Sequence, residues 1–415
     1  MPLADQDVAT DQALVARAAA LLQSHGESTE VTLAAVDRLN RGFGERFELV
    51  PSWSSIVISD EGRNPVVSAA PPVGVAMRSV TIAMRAIDRV AAGTADRATL
   101  RSELDRAAAA GPSPLWLFVL ACATGPAALS IIFGAQDVTA VLLVALSGAL
   151  GGLVRRLLAT IHVGPIGQLF AAALIAGVIG GLAVTADLSS SLRLIAVCPA
   201  MILVPGPHIL NGALDLIGLR ISLGLARLGY AAVLLLTIGL ALALGLALFG
   251  TDLPVQPAGR SVPLWLDIVA AGIAAASYPV YFAMPYRLIA LPVVVGATAH
   301  GLRTWAMDDL GLNVAIGATI ACLVVGIVMA PISHRLHIPF AAVSFAAVVA
   351  LVPGVYVFRM LNALGEVAFG GTDRELLGAI SDGTTAALIV LGMAVGLAVP
   401  KHLYDQLITR RETRP

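Results

Sequence analysis

Ten apolar runs, most about twenty residues long, follow one another between residues 115 and 400, and nothing else in the chain restricts its fold as strongly. About twenty residues of α-helix, rising about 1.5 Å each, cross the roughly 30 Å hydrocarbon layer of a bilayer. In lipid a spanning backbone must satisfy its own hydrogen bonds, so such runs become helices. They are 115–134, 137–158, 163–186, 192–210, 228–250, 262–283, 287–302, 311–331, 338–358 and 376–400, the seventh being the shortest. The 415 residues are 58% apolar and 13% charged, whereas soluble domains are about half apolar and a quarter charged. Mean hydropathy is +0.86. The expected fold is a polytopic α-helical membrane protein.

Loop charges orient these spans, because Lys and Arg collect on the cytoplasmic side. With the N-terminus inside, the inner loops and tail hold Arg155, Arg156, Arg220, Arg227, Arg287, Arg335, Lys401, Arg410, Arg411 and Arg414. The outer loops hold Arg193, Arg260, Arg303, Arg359 and Arg374 among acids such as Asp137, Asp187, Asp252, Asp308, Asp309, Glu366, Asp373 and Glu375. Ten spans with both termini cytoplasmic fit this count. The first 25 residues lack an apolar core behind a positive segment, so no cleavable signal peptide is expected.

Residues 1–112 read as a small soluble α+β domain ending at Gly111-Pro112-Ser113-Pro114. Helices are expected at Asp11–Ser24 and Glu30–Arg41, strands at Phe47–Val50, Ser54–Ser59 and Pro65–Ala69 around a turn at Asp60-Glu61-Gly62, then helices at Met77–Ala91 and Asp96–Ala109. The last two carry Arg78, Arg85, Arg89, Arg97, Arg101 and Arg106 at helical spacing, a basic side that either faces water or lies on the membrane surface. A net charge of -1 gives no footprint for nucleic acid. Cys122, Cys198 and Cys322 stand far apart with no metal-ligand spacing, so they read as packing residues, and neither metal nor cofactor is expected.

The membrane region resembles itself at a shift of about 148 residues. Pro114-Leu115-Trp116-Leu117 recurs as Pro263-Leu264-Trp265-Leu266; Gly148-Ala149 and Arg155 recur as Gly296-Ala297 and Arg303. Leu203-Val204-Pro205-Gly206 recurs as Leu351-Val352-Pro353-Gly354. The units are 113–256 and 257–403, followed by a cytosolic tail at 404–415, and each holds five spans. Five is odd, so the second unit enters the membrane inverted, an arrangement frequent in secondary transporters.

Each Pro-Gly pair removes a backbone donor and unpins a helix at membrane depth, where broken backbone is tolerated only if it is buried or lines a cavity. The two breaks are expected to face each other near the midplane, as a site for a small polar solute worked by alternating access. Its candidate lining is Pro205, Gly206, His208 and Asn211 from the first break, and Pro353, Gly354, Tyr356, Arg359 and Asn362 from the second. Polar groups at depth are costly and mark function. Asp382 and Asp215 are the candidate proton-coupling carboxylates; Asp382 would otherwise be a helix cap outside the lipid, and Asp215 would lie at the cytoplasmic interface. His208 reads either as a ligand or proton relay or as a packing histidine. Arg155 and Arg303 are expected to snorkel at span ends.

His25-Gly26-Glu27-Ser28-Thr29-Glu30-Val31, then Val50-Pro51-Ser52-Trp53-Ser54-Ser55-Ile56-Val57-Ile58-Ser59, resembles the N-terminal region of the threonine/serine exporter family. Ala350–Leu361 resembles its membrane signature, so the likeness covers essentially the whole chain. It implies export of threonine and serine from the cytoplasm across the bacterial cell membrane, driven by the proton motive force. Members split over two chains are associated with C4-dicarboxylate export, which leaves succinate-like cargo as the alternative. Homo-oligomerisation stays open. Abundant arginine and scarce lysine fit a GC-rich bacterial source. Ser24, His25, Glu27, Ser28 and Asp37 raise a hydrolase as a rival, but no Gly-x-Ser-x-Gly elbow accompanies them, and Ser28 or Thr29 reads more simply as a cap of the next helix. The absence of a Gly-x-x-x-x-Gly-Lys-[Ser/Thr] loop sets aside an ATP-driven pump; a passive channel would differ by ignoring a pH gradient.

Overall fold

The computed structural model describes residues 3–60, 64–135, 137–189, 192–251, 262–368, 370 and 372–412. Glu61 and Gly62 of the expected turn, and Asp252, Arg260 and Arg414 of the expected loops and tail, lie outside them.

The N-terminal domain is two helices, α1 (Leu3–Ser24) and α2 (Thr29–Phe43), an antiparallel sheet of β1 (Glu48–Ser52), β2 (Ser54–Ser59) and β3 (Val66–Ala70) in the order β1-β2-β3, and two further helices, α3 (Met77–Ala91) and α4 (Arg97–Ala108). Ser28 caps α2 by accepting from the Val31 amide, and Gly44 ends it at φ 74, a conformation glycine adopts freely. Ile56 and Ile58 alternate inward from β2 onto Val15, Leu22, Leu39, Ile87 and Leu104, which form this domain's own core. The arginine side of α3 and α4 turns largely to acids of the same domain: Arg89 to Glu103 at 2.8 Å and Arg97 to Asp11 at 2.5 Å.

The membrane region begins with α5 (Leu115–Ile132), α6 (Val138–Thr160) and α7 (Pro165–Thr185), the second capped by Asp137 and the third opened by Pro165. A broken pair follows, α8 (Leu192–Met201) and α9 (Gly206–Ile217), then α10 (Ile221–Ala247). The order recurs in α11 (Leu264–Tyr281), α12 (Ala290–Asp308), α13 (Val314–Leu336), the broken pair α14 (Phe340–Val348) and α15 (Gly354–Ala368), and α16 (Asp373–Glu412). The packing partners recur as well. In the first set α5 packs on α6, α7 on α10 and α9 on α10; in the second α11 packs on α12, α13 on α16 and α15 on α16. The two sets meet along α5 and α11.

Seven of the described helices are long and apolar enough to cross a bilayer, or nine if each bent pair is one span. The seventh expected span, 287–302, corresponds to α12, which fails that test because His300, Arg303 and Thr304 dilute its apolar run. The expected tail is no separate segment: α16 runs on as helix to Glu412, 40 residues in all. At about 1.5 Å per residue that is roughly 60 Å, twice the hydrocarbon thickness.

Candidate functional site

The two Pro-Gly pairs interrupt their helices as the backbone chemistry requires. Val204 and Val352 precede proline and so disfavour helical ψ, and Val352 sits at ψ 130. The bends are 54° between α8 and α9 and 71° between α14 and α15. Across the molecule the breaks seat each other reciprocally. A Cβ on Gly206 would lie 1.8 Å from the ring of Phe345, on α14; one on Gly354 would lie 2.6 Å from Met201, at the end of α8. Each half therefore fills the other's break with a side chain, possible only because both positions lack one. A small cavity of about 50 Å³ beside them is lined by Val204, Gly206, Phe345, Pro353 and Met393, with almost no polar surface.

The polar candidates divide between two other places. His208, Asn211 and Asp215 lie along α9 and lead toward the N-terminal domain. The His208 ring stands edge-on to Tyr230, itself against Trp53 of the domain. Asn211 Nδ2 donates to the Gly26 carbonyl at 3.1 Å. Asp215 lies 3.1 Å from Arg220 and 3.0 Å from Arg227, while Arg220 reaches Glu30 at 3.0 Å. On the second half, Arg359 of α15 meets Asp382 of α16 at 3.0 Å, so Asp382 lies within a helix that starts at Asp373 rather than capping one. Asn362 donates to Glu366 at 2.8 Å, and Tyr356 packs among the apolar residues of the second half. Pro205, Gly206, Pro353 and Gly354 are thus brought together, and the polar candidates are not gathered with them.

Arg155 and Arg303 are partly buried. The Nε of each is buried without a hydrogen-bond partner, and Arg155 lines a cavity of about 10 Å³ with Ser147 and Cys122. The three cysteines are buried and not joined in a disulfide. Sequence reasoning missed Arg227, counted above as a loop cation although it sits inside α10 and is only 4% exposed. It also missed a buried cluster joining α11 to α12: His300 Nε2 lies 3.0 Å from Asp267, and Thr304 donates to the same carboxylate at 2.8 Å. Their spacing of 33 and 37 residues carries no local signal, although any acid within an apolar run could have been questioned.

The N-terminal domain also meets the ends of α11 and α13. The Met77 and Arg78 amides donate to the carbonyls of Phe282 and Ala283 just past α11, at 2.8 and 3.2 Å. Asp88 binds His337 just past α13 at 2.5 Å and Arg38 at 2.6 Å, and these partners hold its carboxyl below the usual range despite burial. Glu27 lies at the same junction, 2% exposed, and burial pushes its carboxyl up to about 7 even though the Ser28 amide and Lys401 favour the charged form.

A family model described as a threonine/serine exporter matches residues 13–249, and a second threonine/serine exporter model matches residues 267–403. The chain belongs to the threonine/serine exporter family. The first match takes in the N-terminal domain with α5–α10 and the second begins inside α11, so the junction falls between the two similar halves. No solved structure matches this exporter.

Proposed function

We propose that this protein is a secondary active exporter that moves threonine and serine out of the bacterial cytoplasm, driven by the proton motive force, by alternating access between two inverted five-span halves. The observation that carries the reading is the reciprocal seating of the breaks, Gly206 under Phe345 and Gly354 under Met201. Because each break is closed by a residue of the other half, rocking one half against the other opens both, and the freed half-helix ends of α9 and α15 then offer partial charges to a polar solute.

Topology supports the same reading. The ends of α11 and α13 both meet the N-terminal domain, so α12 has to return across the membrane between them, and ten crossings follow with both termini on the domain's side. His208 and Asn211 then line the cytoplasmic half of the path and Tyr356, Arg359 and Asn362 the outer half. Asp215 and Asp382, each ion-paired to arginine, are the carboxylates through which a proton would loosen one half or the other.

The test is efflux of labelled threonine, serine and succinate from preloaded vesicles, with and without an imposed pH gradient. Gradient-dependent movement of threonine or serine is the expected result. Succinate alone would assign the cargo to dicarboxylates, and indifference to the gradient would replace the carrier with a channel.

A further inference from the structure

Between the N-terminal domain and the membrane helices lies a cavity of about 130 Å³ that the breaks do not explain. One water needs roughly 10–15 Å³ of such free volume, so the space holds a solute of several heavy atoms. Its walls carry groups of both signs. The domain contributes the carboxyls of Glu27 and Glu30, and the membrane helices contribute the ammonium of Lys401 and the imidazole of His334. The remaining charged lining groups are engaged elsewhere or with these: Arg38 with Asp88, and Asp405 with Lys401. Lys401 is the one lysine in a chain otherwise supplied with arginine, and it is only 2% exposed. An ammonium has three donors, and Asp405 takes one of them.

Burying Glu27 and Lys401 here costs free energy that apolar residues of similar size would avoid. Such a cost is tolerated where a ligand completes the site. We propose that this cavity is a binding site for a small zwitterionic amino acid, with the ligand's ammonium on Glu27 and its carboxylate between Lys401 and His334. Two buried groups select the class: a cation alone would leave the remaining Lys401 donors unused, and an anion alone would leave Glu27 unmatched. The site rests on the export reading in one respect only: on that topology it lies on the cytoplasmic side, where cargo is picked up before the first break opens.

The experiment measures binding of labelled L-threonine and L-serine to the purified full-length chain in detergent, with efflux assayed on the same variants in proteoliposomes. Saturable binding is expected, with competition by either amino acid and none by threonine amide or 3-hydroxybutyrate, which each lack one charge. Glu27→Gln and Lys401→Gln should each weaken binding tenfold or more. Ala34→Phe, on an exposed lining position of α2, should do the same by filling the space with every charge in place, so loss cannot be traced to misfolding around a removed ion. Unchanged affinity in all three variants, or equal competition by the singly charged analogues, overturns the site whether or not wild-type protein exports. Binding that follows these variants while wild-type protein fails to export threonine or serine keeps the site and removes the export reading.

Discussion

Gly206 packs so closely that a single methyl group tests the contact between the halves. Its Cβ would overlap the Phe345 ring at 1.8 Å, and that ring is itself held by Tyr278 at 5.5 Å between centroids. Overpacking of this kind costs about 1–3 kcal/mol, so Gly206→Ala should lower the thermal unfolding temperature and slow export. Adding Phe345→Ala should recover much of both, because the two changes share one space. An additive double variant would mean the contact is incidental. Glu27 makes a second residue-scale prediction. Its carboxyl is raised from 4.5 to about 7 in the docked state, so docking binds a proton that an undocked domain would release. The stability Glu27 contributes is full below about pH 4.5 and lost as pH rises through about 7, in total about 3 kcal/mol. Protection factors of residues 25–31, corrected for the intrinsic pH dependence of exchange, should therefore be higher at pH 5 than at pH 8, and Glu27→Gln should flatten the difference. Equal protection at both values in the native chain would count against it.

At the scale of elements, each half ties the second part of its broken span to its last helix through a buried ion pair, Asp215 with Arg227 and Arg359 with Asp382, the signs exchanged between halves. Removing one partner of a buried pair leaves an uncompensated charge and costs about 3–5 kcal/mol. Arg359→Ala should thus destabilise the protein and reduce export strongly, whereas the exchange Arg359→Asp with Asp382→Arg should restore a substantial part; equal damage from both would show that the pair does not join α15 to α16. These pairs also mark where the sequence stopped being legible. Most of the spans and both breaks were readable because proline, glycine and twenty-residue apolar runs act locally, and so were the strands of the N-terminal domain, where Ile56 and Ile58 alternate. The partners of Asp382, Asp215 and Asp267 were not, because each lies on another helix and periodicity says nothing about which helices adjoin. The length of α12 was misjudged for a related reason: its polar residues are compensated by Asp267 on α11, and a hydropathy sum sees only their cost.

For the whole molecule the decisive question is whether the N-terminal domain must move for cargo to pass. It binds the ends of α11 and α13, and its Glu30 reaches Arg220 at the junction of α9 and α10, so it bridges both halves at once. A rigid bridge opposes rocking, since the halves cannot separate on the side where a third body holds them. On the rocking reading proposed above, undocking along the α9 and α10 edge is a step of the cycle, and the Glu30 to Arg220 contact, half-exposed and 3.0 Å long, is a weak latch suited to opening. Replacing the two residues with cysteines and joining them with a reducible, disulfide-containing bismaleimide that spans the length of the original pair should arrest export, with recovery on reduction; the native cysteines are buried and do not compete. Binding of labelled threonine at equilibrium should be the same before and after crosslinking of this double-cysteine protein, because the cavity between Glu27 and Lys401 is already formed in the docked state. If the crosslinked protein exports at the uncrosslinked rate, the domain travels with one half as a passenger, and rocking must take place about an axis that its contacts on both halves leave free.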